Sequence, residues 1–224
     1  DAEITGAVNK IPDMINSSTV IKDDTDLYAV FSITSDNCVE AELSSLSKSD
    51  DVIIAISKDG KYYAMSQEKG TSGQPMSKEL KVSNGTIESA ISDDIKWNVE
   101  YNKGDMVIYP SGNEDNWLYC TSGSNNNAVR IGTNSDNNIF EMKSVEIDDV
   151  VYSNYLYNKA TERFVGAYYD NEIAIDWRAY KLTASGAFPT NIKDQTYHFF
   201  KSEGKSFYCT NVDMPQSQTV ATNT

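Results

Sequence analysis

Val52-Ile53-Ile54-Ala55-Ile56, then Lys58-Asp59-Gly60, then Tyr62-Tyr63-Ala64-Met65 form one continuous stretch. Two β-branched and aromatic runs separated by Asp-Gly read as a β-hairpin, because both central residues of such a turn need positive φ. The same pattern returns twice. Met106-Val107-Ile108-Tyr109 leads through the polar run 111–116 into Leu118-Tyr119-Cys120-Thr121, and Asn154-Tyr155-Leu156-Tyr157 leads through 158–162 into Phe164-Val165-Gly166-Ala167. A third segment follows each pair: Leu80-Lys81-Val82, Val129-Arg130-Ile131 and Ile173-Ala174-Ile175. A fourth closes each unit as aromatic, polar, apolar: Trp97-Asn98-Val99, Phe140-Glu141-Met142 and Tyr197-His198-Phe199. Equivalent positions lie about 43 to 57 residues apart, and the differences fall in loops.

Four strand types in one order, three times, predict an all-β, β-trefoil-like fold: three four-strand units with an N-terminal extension. Six strands close as a barrel and three hairpins cap it, which removes exposed sheet edges. A sandwich or jelly roll could use the same strands but leaves the threefold recurrence unexplained. Three propeller blades fall below the usual four to eight. Residues 1–38 read as an extension or the end of an upstream domain, with 26–34 as one more strand. Residues 39–209 read as the trefoil-like domain, and 210–224, with little to bury, as a flexible tail.

Aligning the second strands places Tyr62, Leu118 and Phe164 on one face, with Ala64, Cys120 and Gly166 two residues on. Large then small suits a tapering interior. Cys120 is therefore expected as a buried, inert thiol. Cys38 and Cys209 flank the repeats and could be bridged if their Cα atoms approach within about 7 Å.

The chain has 224 residues with 33 acidic against 19 basic side chains, a net charge of −14. Phosphate binding needs clustered Lys and Arg, so no nucleic-acid partner is expected. No apolar run approaches the roughly 18 residues of a membrane span. One His and the absence of P-loop, G-x-S-x-G, H-E-x-x-H, C-x-x-C or EF-hand spacing leave no cofactor or metal to expect, and make an enzyme the weaker reading. The start at Asp1, without Met, points to the removal of a leader or of an upstream segment, and the Tyr/Asn/Ser/Thr/Asp-rich flavour to an exported protein, with lipoprotein anchoring open through the lost segment.

The run 43–55 with Gly60-Lys61-Tyr62-Tyr63-Ala64-Met65, together with Trp117-Leu118-Tyr119-Cys120, Ala128 to Asn134, and Asn191 to Tyr197, resembles a domain of exported proteins of gut Bacteroidetes. The resemblance covers roughly residues 39 to 202. It implies an accessory module on surface lipoproteins or secreted multidomain enzymes, and it supplies no catalytic residue.

The densest functional-looking cluster lies in the third unit: Tyr168, Tyr169, Asp170, Asn171, Trp177, Arg178 and Tyr180. Aromatic faces stack on sugar C–H groups while carboxylates and amides bind hydroxyls, and a hairpin tip on a rigid barrel is a recognition place. Against this, Trp177 and Tyr180 can plug the barrel while Asp170 and Asn171 make a turn, and this packing reading carries more weight. The second unit repeats the types in Asp115, Asn116 and Trp117, the last either a platform or a cap over the core. Trp97 sits in the fourth-strand aromatic position and reads as core. The ricin-type lectin signature Gln-x-Trp is only echoed by Gln195-Thr196-Tyr197. His198 has no recognisable nucleophile or metal partner and reads as structural or solvated. The acidic clusters at 23–26, 50–51, 93–94 and 148–149 lack regular calcium-loop spacing and read as solvated turns.

The expected function is that of a non-catalytic binding or accessory domain of a secreted or cell-surface protein, with a surface or extracellular glycan as ligand. The alternative is a protein–protein module, including a protease-inhibitor-like trefoil.

Overall fold

The structure, a computed structural model, describes residues 6–8, 30–123 and 128–211. Its strands are β1 (Gly6–Val8), β2 (Val30–Glu40), β3 (Val52–Lys58), β4 (Lys61–Lys69), β5 (Pro75–Leu80), β6 (Val82–Ser83), β7 (Thr86–Ile87) and β8 (Trp97–Asn102). There follow β9 (Asp105–Pro110), β10 (Trp117–Cys120), β11 (Val129–Gly132), β12 (Ile139–Ile147), β13 (Val150–Asn158), β14 (Arg163–Asp170), β15 (Ile173–Tyr180) and β16 (Thr196–Asn211). Helix is confined to three 3-10 turns at Leu43–Ser45, Asp93–Ile95 and Thr190–Ile192. The fold is all-β, and each of the twelve segments expected from the sequence overlaps a strand.

Nine strands close a ring of antiparallel neighbours. From β3 the order runs β4, β5, β15, β14, β13, β12, β9 and β8, which returns to β3 through Val52↔Trp97. Closure leaves these strands without a free edge. On its other side β3 pairs with β16, which carries β2, and β2 carries the small β6–β7 hairpin. The β10–β11 hairpin stands apart as its own two-stranded sheet.

The hairpins follow from turn chemistry. Asp59-Gly60, Asn84-Gly85, Lys103-Gly104, Asp148-Asp149 and Asn171-Glu172 each have positive φ at both residues. These two-residue links match the right-handed twist of the flanking strands.

The central core gathers Trp97, Phe140 and Trp177, with Ile54, Ile56, Val99, Met106, Ile108 and Leu156 around them. A second cluster lies on the opposite face of β3: Ile53, Ala55, Ala64, Leu80, Ile87, Ile95 and Phe200. A third, aromatic, cluster holds Tyr155, Tyr157, Phe164, Tyr180 and Phe188. Trp97 and Tyr197 reinforce the core in parallel ways. Trp97 Nε1 donates to the Met65 carbonyl at 2.8 Å and Tyr197 Oη to the Val165 carbonyl at 2.9 Å, each tying a unit's fourth strand to its second.

Four expectations need correction. The second-strand alignment slips by one residue in the middle unit. The residues facing the central core are Tyr63 and Met65, Leu118 and Cys120, and Val165 and Ala167, whereas Ala64 faces the second cluster and Phe164 the third. Cys120 is fully buried, as expected, but corresponds to Met65 and Ala167. The boundary after residue 38 falls inside β2, which continues along β16; the strand expected at 26–34 starts at Val30, and 26–29 lie outside the described residues. The third-strand segment 80–82 straddles the junction of β5 and β6. Cys38 is a free, buried thiol. Cys209 pairs in register with Ser32 and Cys38 with Ser202, so six residues of β2, about 20 Å, separate their rungs, which rules out the bridge. Of the expected tail, 212–224 lie outside the described residues.

Gly166 marks a close approach in β14. A Cβ there would come within 2.7 Å of Ile192 Cβ and 2.8 Å of Gln195 Oε1. Gln195 is buried and clamps Ala167, accepting from its N–H at 3.1 Å and donating to its carbonyl at 2.6 Å. Gly166→Ala is therefore expected to destabilise by about 1–3 kcal/mol, read as a lower urea midpoint with unchanged slope.

Candidate functional site

The third-unit residues do not form one surface. Trp177 is 0% exposed, inside the central core, with its ring edge-on to Tyr197 at 5.9 Å. No ligand reaches its face, so the platform reading is corrected: the ring is packing. Alternation along β15 explains this, since Asp176 and Arg178 flank it on the other face of the strand. Arg178 lies over the Tyr168 ring at 3.7 Å and bonds the buried Asp176 carboxylate through Nε at 2.6 Å. Gln74 Nε2 donates to the other oxygen of Asp176 at 2.6 Å. Tyr169 is half-buried, edge-on to Tyr63 at 5.6 Å, with Lys58 Nζ 5.0 Å from its ring centre. Burial, then the neighbouring Tyr63, Asp59 and Glu79, push its hydroxyl far above the usual tyrosine range. Asp170 and Asn171 are exposed at the hairpin tip, Asn171 serving as the first positive-φ residue of the turn.

In the second unit Asp115 is exposed, Asn116 donates to Asn113 Oδ1 at 3.0 Å, and Trp117 is half-buried opposite Gly132. The two sets lie on separate hairpins and are not brought together.

Concavity lies instead at the base of the β14–β15 hairpin, about 20 Å along the strands from its tip. One open cleft of about 600 Å³ is lined by Ser122, Gly123, Arg163, Tyr180, Lys181, Leu182, Thr183 and the segment 189–191. A second, of about 310 Å³, is lined by Lys143, Val145, Tyr157, Glu162, Phe164, Lys181 and Leu182. Sharing Lys181 and Leu182, they flank one segment. The floor is fixed from below: Phe164 pairs with both Tyr157 and Tyr180 across the sheet, and Phe188 packs on Phe164 at 5.2 Å. Arg163 is 3% exposed, with Nη1 donating to the Ala179 carbonyl at 3.0 Å and Nη2 to that of Gly123. The wall segment folds on itself, since the Thr183 N–H donates to Ala187 O at 2.9 Å and Thr183 Oγ1 accepts from the Ala187 N–H at 2.9 Å. Sequence reading missed this place because its residues come from strand ends and loops and share no motif.

His198 has a hydroxyl partner that the sequence reading did not expect, and a carboxylate on its other nitrogen. Nε2 lies 2.8 Å from Ser57 Oγ and Nδ1 2.6 Å from Glu40 Oε1, across β3, β16 and β2. Hydroxyl, imidazole and carboxylate in that order compose a nucleophile relay, but acyl transfer also needs backbone donors aimed at an oxyanion. Ser57 sits within the ladders of both β4 and β16, paired with Tyr62 and Thr196, and the Tyr62 ring packs against the imidazole at 5.0 Å. None of the three residues lines either cleft. The arrangement is a cross-strand strut.

The acidic clusters disperse into local pairs. Asp50 bonds Lys201, Asp51 the Ser111 hydroxyl, Asp93 Lys96, and Asp94 Lys78. Asp148-Asp149 is a hairpin turn, and residues 23–26 lie outside the described residues. Among the described residues no helix is long and apolar enough to cross a membrane.

No family model matches the chain, and no curated protein matches it.

Proposed function

We propose that this chain is a β-trefoil-like, non-catalytic binding module of an exported or cell-surface protein, with a glycan as ligand. The trefoil-like reading is supported by the succession β3–β8–β9–β12–β13 and by β16 on β3, six strands neighbouring one another in the order a trefoil barrel would need. It is also supported by β4–β5, β10–β11 and β14–β15, three hairpins at corresponding places in the chain. The glycan reading rests on the cleft of about 600 Å³ at the base of the last hairpin. Its lining combines the exposed Leu182 with the hydroxyls of Thr183 and Thr190 and the amide of Asn191, over a floor that includes Tyr180, which is buried in the third cluster. A sugar presents an apolar C–H face rimmed by hydroxyls, and a concave site with a few placed polar groups on a rigid floor fits that shape.

Thr190 is exposed on the cleft wall, so Thr190→Trp fills the space without emptying the core. Saturable retention on a glycan array by the parent chain, lost in Thr190→Trp at unchanged melting temperature, is the expected result. Retention of no glycan, or equal retention by both proteins, would overturn the assignment.

A further inference from the structure

Beyond Glu141 and Tyr157 the β12–β13 hairpin runs on with no third strand paired to it among the described residues. Its rungs Val145↔Tyr152 and Ile147↔Val150 point to one face, and the rung between them, Glu146↔Val151, points to the other. The first face is apolar. Val145, Ile147 and Tyr152 are partly buried against the third cluster, and Val150 at the tip is 49% exposed. Val145 and the exposed Leu182 line the smaller cleft together, so an apolar strip runs from Val150 to Leu182.

The two ends of the strip differ in charge. The tip turn carries Asp148 and Asp149, both exposed, and no Lys or Arg occurs between residues 144 and 158. The cleft end carries Lys143 and Lys181 against one carboxylate, Glu162. Lys143 Nζ lies 3.9 Å from the Tyr157 ring centre, a contact that orients the ammonium without neutralising it. Lys181 faces Glu162 at 3.9 Å with both side chains more than half exposed, a loose surface pair worth little. Lys143 is four residues from Ile147, about 13 Å along the strand.

A strip that is apolar in the middle, acidic at one end and basic at the other is complementary to itself when turned end for end, which is what a two-fold axis does. A chain of net charge −14 repels its own copies over most of its surface, so a copy can approach only where it meets the opposite sign. We infer that this face of the β12–β13 hairpin docks a second copy of the chain as an isologous dimer. Asp148 and Asp149 of one copy meet Lys143 and Lys181 of the other, and Val150 of each packs on the other's Leu182. The strip is short against the ~800 Å² per partner of a standard interface, so the dimer is weak and forms at micromolar concentration and above. This inference does not rest on the glycan reading.

Sedimentation velocity of the whole chain in about 0.15 M salt is expected to show a monomer that passes to a dimer as concentration rises. Val150→Ser is expected to weaken the dimer about tenfold, because two-fold symmetry counts each lost contact twice. Val151→Ser, on the opposite face, should leave it unchanged. Asp148→Lys and Lys181→Glu should each lose the dimer, and an equimolar mixture of the two should restore it, since the reversed ends then face each other, as do the native ends. Asp148 has φ 52 in its turn, the value Lys103 holds in the β8–β9 turn, so a lysine is accommodated there and melting temperatures should match the parent's. A strict monomer at every concentration, equal effects of the two serine variants, or a charge-reversed mixture that stays monomeric would overturn the inference. Dimerisation without retention of any glycan would uphold it and overturn the glycan reading; glycan retention by a strict monomer would do the reverse.

Discussion

Replacing Trp177 with Ala is expected to lower unfolding free energy by about 3–5 kcal/mol, the cost of emptying an aromatic core position. The ring is 0% exposed and sits among residues drawn from several strands, with Ala167 directly opposite and Tyr197 edge-on at 5.9 Å. A surface stacking platform would lose ligand and keep its melting temperature; this residue should do the reverse. Trp177→Phe sharpens the point. The indole N–H is buried with no hydrogen-bond partner among the described residues, so removing it relieves an unsatisfied donor while giving up ring volume, and the change should stay within about 1 kcal/mol. The same substitution at Trp97 should cost more, because it breaks the 2.8 Å bond to the Met65 carbonyl. Urea unfolding of the three single variants reads the contrast directly. Equal costs for the two Phe variants would show that the polar atoms do not distinguish the sites.

Strand positions and turns were legible because local chemistry sets them. Asp59-Gly60 announces a two-residue hairpin in the sequence itself, and the structure puts both residues at positive φ. The register of the second strands was not legible. Tyr62-Tyr63-Ala64-Met65 and Phe164-Val165-Gly166-Ala167 are apolar on both faces because β4 and β14 lie between two clusters. With both faces buried, alternation cannot say which residue points inward. Only β10, with Leu118 and Cys120 buried and Trp117 and Tyr119 half-exposed, carries a one-sided signal. The site was less legible still. Aromatic density drew attention to the hairpin tip, but Trp177 turns into the core, and the two clefts draw Lys143, Arg163 and Lys181 from two strands and a loop. His198 gained its partners only through the pairing of β16, since Ser57 and Glu40 lie 141 and 158 residues away in the chain.

Asp36→Ala is expected to cost about 3 kcal/mol, the lower end of the range for breaking a buried ion pair from one side. Asp36 is 5% exposed on β2, opposite Lys205 of β16, and its second oxygen meets Lys96 Nζ at 2.6 Å. It thus fastens the β2–β16 ribbon to the turn that precedes β8. Lys96 is nearly buried, and its remaining partner, Asp93, lies 2.7 Å away, so the substitution leaves that ammonium only partly neutralised. Lys205 is 61% exposed, and Lys205→Ala should cost under about 1 kcal/mol. The same group sets an acid limit. Burial raises the Asp36 carboxyl, but hydrogen bonds and charge from Lys205 and Lys96 outweigh it and hold the group below its ordinary value. A carboxyl whose folded value is depressed stabilises the fold above its unfolded value, near pH 4, and loses that contribution as pH falls through the folded value. Asp94, drawn down by Lys78 and Ser66 against its own burial, and Asp50, drawn down by Ser47 and Lys201 against its own, act in the same direction. Stability should therefore hold from neutral pH to about pH 4 and fall below it, and Asp36→Ala should fall less steeply there, having already lost one of the three titrating groups. A variant whose acid slope matched the parent's would show that the β2–β16 ribbon is held by its backbone ladder rather than by Asp36.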